Sequence, residues 1–181
     1  MNLQKQILVE HSAKNAETVA TIVENNPDVY LKELIDLILL GDKLTAQRAA
    51  WSLAKFSPEF YIELVPYLDF ILEEVKNAKH VAVSRNFARV FRIITNPKND
   101  YPLSDTQIDA IAEVSFSFLI DPEEKAAVIA FSMFTLQNLI HKRSWIAPEL
   151  KIYVENNISG GLPSFQSVGR KILKSINSAK K

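Results

Sequence analysis

Apolar residues return at helical spacing along almost the whole chain, and proline or glycine breaks cut them into helix pairs about 40 residues apart. A repeat of that length confines the fold to stacked pairs, because one lone pair cannot bury its apolar face. Leu31, Leu34, Ile35 and Ile38 form one stripe, closed by Gly41. Ala46, Ala50, Leu53 and Ala54 face inward on the next helix, which Ser57-Pro58 ends, since proline suits a first turn and forbids continuation. Residues 60–75 are apolar and helical, interrupted by Pro66; residues 81–94 follow and stop at Asn96-Pro97. After the loop from Pro97 to Pro102, Ser104 caps a helix running to Leu119 or Ile120, and Asp121-Pro122 opens another that reaches about His141. Ser159-Gly160-Gly161 separates the last two helices.

First helices are therefore expected near 29–41, 59–76, 104–120 and 148–157, and second helices near 44–56, 80–95, 123–141 and 163–177. Residues 1–26 are expected to form a further, capping pair, with helix pairs over 27–178. The class is all-α, an α-α superhelix (solenoid) of four to five antiparallel pairs, in a single domain over 1–181. Ala50, Phe87, Ala130 and Ile172 are one alignment of a shared core position, and Ala50-Trp51-Ser52-Leu53 looks like Ala130-Phe131-Ser132-Met133 two repeats later.

Charge is sorted by helix. First helices carry acids, among them Glu63, Glu73, Asp105, Asp109, Glu113 and Glu149. Second helices carry bases: Arg48 and Lys55, then Arg85, Arg89 and Arg92, and finally Arg170 and Lys174. Arg85, Arg89 and Arg92 share one helix face within about 60°, at ~100° per residue. Val83, Phe87, Val90 and Ile94 occupy the opposite, core side. Three bases one turn apart repel by a few tenths of a kcal/mol per pair, so neighbouring acids, counterions or a ligand must offset them. The third pair interrupts the stripe with Val128, Ser132 and Thr135.

The segment Glu63 to Val75, with its internal Pro66, resembles the kinked first helix of HEAT-like and armadillo-like superhelical repeats. Val81 to Ile93, with its early Arg85, resembles their second helix; Arg48 and Arg170 are weaker counterparts. The turn before it holds Ala78-Lys79-His80 where those repeats usually have an aspartate. The resemblance implies that second helices line a concave face, so Arg48, Lys55, Arg85, Arg89, Arg92, Arg170 and Lys174 would make a basic groove, with Trp51 as an aromatic contact.

Composition limits the chemistry. Without cysteine there is no disulfide, thiolate nucleophile or thiolate zinc site. His11, His80 and His141 include no i, i+4 pair, so no metal is expected, and no cofactor motif is present. Glu73-Glu74 and Glu123-Glu124 point different ways on a helix and are expected to be solvated. A formal net charge of zero argues against general nucleic-acid coating. No apolar run is long enough for a signal peptide or membrane span, which makes the cytoplasm the expected address. The expected function is a non-enzymatic scaffold that binds a protein or acidic peptide. The alternative is a nucleic-acid-binding protein resembling helical-repeat DNA glycosylases.

Overall fold

The computed structural model describes residues 1–77 and 81–178, and among them every regular element is helical. The helices are α1 (Leu3–Leu8), α2 (Ala13–Asn25), α3 (Pro27–Leu39), α4 (Lys43–Leu53), α5 (Leu68–Val75), α6 (Val81–Ile94), α7 (Asp105–Ile120), α8 (Ala126–Leu139), α9 (Ile146–Asn157) and α10 (Pro163–Ser178), with a 3-10 segment over Pro58–Tyr67. The turn expected at Ala78-Lys79-His80 lies outside the described residues. Two compact units emerge, Met1–Val90 and Phe91–Lys181, and the division falls inside α6.

In the first unit, α1 and α2 form an N-terminal helix pair. Leu3 and Ile7 of the short α1 are fully buried, and α1 packs on α2, α3 and α4. Asn15 ties the pair together: its amide donates to the carbonyls of Gln6 (3.0 Å), Ile7 (3.3 Å) and Glu10 (3.1 Å) and accepts from Gln6 Nε2 (2.9 Å). Such full satisfaction is what makes a buried amide tolerable. Leu31, Leu34, Ile35 and Ile38 of α3 are all buried, as their spacing requires. Gly41 holds no positive φ. It is needed because a Cβ there would run into the Leu37 carbonyl.

Between Pro58 and Val75 the chain departs from the single kinked α-helix expected. Pro66 lacks an N–H, and in an α-helix its ring would meet the carbonyl of Ile62. The tighter 3-10 segment precedes α5 instead, and Tyr61 is buried and donates its hydroxyl to Leu53 O at 2.7 Å.

In the second unit α8 packs against α7, α9 and α10. A capping box starts α7, with Ser104 Oγ accepting from Gln107 N and Gln107 returning to Ser104 N. The helix expected to open at Asp121-Pro122 begins only at Ala126. Asp121 Oδ1 accepts from Glu123 N (2.9 Å) and Asp121 O from Glu124 N (3.2 Å), so a turn stabilised by the aspartate delays it. Gly169 of α10 is buried where α10 meets α9, and a Cβ there would stand 2.9 Å from Val154 Cγ1.

Two predictions test this framework. Phe87 is 0% exposed, so Phe87→Ala should cost about 3–5 kcal/mol in chemical denaturation. Asp42 caps α4 by accepting from Leu44 N, Thr45 N and Thr45 Oγ1. The Thr45 hydroxyl, with the backbone donors, lowers its carboxyl below the ordinary 3.8. The cap should stabilise fully above that ordinary value and be lost as pH falls through the lowered one. Acid-unfolding curves of Asp42→Asn should show a correspondingly weaker pH dependence than wild type.

Candidate binding faces of the second helices

Burial sets the rotation of each second helix. On α4 the buried residues are Thr45, Ala46, Ala49, Ala50, Ser52 and Leu53, followed by Phe56. On α6 they are Val83, Ser84, Phe87, Ala88, Val90, Phe91 and Ile94. On α8 they are Val128, Ser132, Met133, Thr135, Leu136 and Leu139. The three patterns superpose, and Gly169, Ile172 and Ile176 continue them on α10. The outward positions follow: Arg85, Arg89 and Arg92 on α6 correspond to Gln47, Trp51 and Ala54 on α4, to Ala130, Phe134 and Gln137 on α8, and to Ser167, Lys171 and Lys174 on α10.

This register shifts two sequence alignments. Ala130 is half-exposed, and the buried Ala50, Phe87 and Ile172 fall at three different core positions, Phe87 matching Ala49 and Ile172 matching Val90. Trp51 corresponds to Phe134 rather than to Phe131. Val128, Ser132 and Thr135 interrupt nothing outward, because all three are buried.

In the first unit, Arg48 sits one residue round from the outward position. Its Nη1 donates to Leu8 O at 2.9 Å, across the last turn of α1, where helix carbonyls favour a cation. Lys55 pairs with Glu17 at 2.6 Å. Trp51 is half-exposed, and its ring meets His11 edge-on with centroids 5.2 Å apart. These bases hold the N-terminal helices, and Trp51 keeps an open edge.

Arg85, Arg89 and Arg92 occupy the outward side of α6 as their spacing predicts. Arg85 and Arg92 are exposed and Arg89 is half-buried. Among the described residues none of the three has an acid within ion-pair distance. The Arg92 guanidinium instead lies over the rings of Phe134 (4.7 Å) and Phe131 (5.7 Å), a contact that attracts the cation without neutralising it. On α10, Arg170 donates to Gln166 Oε1 at 2.9 Å, and Lys171 and Lys174 are exposed. None of α4, α6, α8 and α10 contains an aspartate or glutamate, so none can compensate its own bases.

Cavities are small. One of about 10 Å³ lies among Ile7, Glu10, His11, Arg48, Trp51 and Ser52, enough for a water. Another, of about 70 Å³, is lined by residues including Thr95, Asp100, Tyr101 and His141 beneath the 97–102 loop. Among the described residues no group of three or more histidine or acidic side chains is placed to hold a metal ion, and no helix is long and apolar enough to cross a membrane.

Paired helices of this period, with proline breaks and matching inward stripes, agree with a family comparison: the HEAT repeat domain matches residues 3–176. The chain belongs to the HEAT-repeat family. Neither the curated proteins nor the solved structures provide a match.

Sequence spacing missed one ionic cluster of this HEAT-repeat chain. Arg143 lies just beyond α8 and reaches across to the start of α7. Its Nε meets Asp109 Oδ1 at 2.5 Å and its Nη2 meets Asp105 Oδ1 at 2.8 Å. The hydrogen bonds to Asp109, then to Asp105, raise its pKa further. The acid-helix, base-helix split thus closes on itself at α7 and α8 and stays open on α6. Arg143→Ala should lower the melting temperature. Arg85→Ala should leave it unchanged or raise it, since relieving repulsion on α6 is worth a few tenths of a kcal/mol.

Proposed function

We propose that this HEAT-repeat chain is a non-enzymatic scaffold that binds an acidic segment of a partner protein through the outward face of α6. The observation that carries this reading is the set of three bases, Arg85, Arg89 and Arg92, with no acidic partner among the described residues. Helical repeats present long, rigid helix faces suited to an extended ligand. Opposed carboxylates would relieve the repulsion that α6 carries when free, and guanidinium groups hold carboxylates in bidentate geometry. Arg48 and Lys55 then serve the fold rather than the ligand. Lys171 and Lys174 of α10 are exposed bases as well, and the neutral total charge favours a local site over a continuous nucleic-acid track.

The test is fluorescence anisotropy with a labelled glutamate-rich peptide and, separately, a duplex DNA, at about 0.1 M salt, where exposed charges are only partly screened. Wild type should bind the peptide more tightly than the duplex. The triple variant Arg85→Glu/Arg89→Glu/Arg92→Glu should lose roughly tenfold or more in peptide affinity while keeping its helical circular dichroism. Tighter binding of the duplex, abolished by the same variant, would replace this reading with nucleic-acid binding.

A further inference from the structure

We infer that the acidic segment carries an apolar residue between its acids, and that this residue packs on a phenylalanine shelf of α8. The inference rests on the acidic-segment reading and adds to it the chemistry of the partner's central position. Where α6 presents Arg89, α8 presents Phe134, and Phe131 lies beside it; both rings are half-exposed. From Ala126 to Leu139 the helix holds no charged residue, so the shelf carries no charge of its own. Arg92 covers one flank, its guanidinium over both rings.

Met133, about 200° round the helix from Phe131, is fully buried, and α9 and α10 both pack on α8. Packed helix axes stand about 8–10 Å apart, which places Lys171 and Lys174 one helix beyond the shelf, exposed and on a helix without acids. An uncharged aromatic surface between Arg92 and the basic α10 matches a segment with an apolar side chain at its centre and carboxylates on either side. The apolar residue would displace water from Phe131 and Phe134, while its neighbours reach Arg92 and the two lysines. A wholly polar acidic segment would leave the rings wet.

Two labelled peptides of identical charge separate the possibilities, one with leucine and one with serine between glutamates. In anisotropy titrations the leucine peptide should bind wild type roughly tenfold more tightly, the ordinary scale for one buried apolar side chain. Phe134→Ser should remove that preference and leave serine-peptide affinity unchanged; Ala130→Glu, in a half-exposed position that tolerates a longer side chain, should remove the preference while its carboxylate weakens both peptides. Lys171→Glu/Lys174→Glu should weaken both peptides alike. Equal affinities for the two peptides, or a preference that survives Phe134→Ser and Ala130→Glu, would overturn the shelf while leaving the acidic-segment reading intact. Binding of neither peptide would overturn both. Sedimentation that shows self-association lost on Phe134→Ser would assign the shelf to a second copy of the chain and overturn the inference.

Discussion

Every second helix must turn the same stripe of positions inward, and the rest of the structure depends on that burial. A helix of three or four turns has little stability of its own in water, so its apolar stripe has to be covered by neighbours. On α6 the stripe holds Phe87 and Phe91, each completely buried. The equivalent places on α4 and α8 hold smaller residues such as Ala49, Leu53, Ser132 and Leu136. The packing therefore preserves helix rotation more faithfully than residue size. That rotation in turn decides which side chains remain available to a partner.

Charge follows from the same constraint. With the inward stripe closed to charged groups, ionisable residues occupy flanks and outer faces, where their fate depends on reach. Lys55 reaches Glu17 and Arg143 reaches two aspartates, and in both cases one base joins two helices. Arg85 and Arg89 project from the middle of α6, away from the helix ends where those crossings occur. Their side chains remain uncompensated among the described residues. The same kind of residue is thus a structural tie in one place and a candidate ligand contact in another.

Much of the fold was legible in the chain. Apolar spacing located the helices, and Pro58, Asn96-Pro97 and Gly41 marked their limits within a few residues. Two boundaries were misjudged, for local reasons: Pro66 favours 3-10 geometry, and the Asp121 carboxylate stabilises a turn before α8 can begin. The candidate site was half legible. Arg85, Arg89 and Arg92 announced a shared face by their spacing alone. Phe131 and Phe134 did not, because aromatic residues in an apolar helix look like core until its rotation is known. Counting small residues inward from Ser132 and Met133 would have exposed the shift.

The sequence by itself determined that this chain is a stack of helix pairs, and that α6 carries three bases opposite its core. Both follow from the fixed turn of the α-helix, a local property that needs no knowledge of neighbours. Only the tertiary structure decided which bases are engaged. Arg48 and Arg85 look alike in the chain, yet a rotation of about 100° for one residue of register sends the first to the Leu8 carbonyl and leaves the second in solvent. Whether a charge is paired depends on groups tens of residues away, and those distances are set by packing between helices rather than by spacing within them.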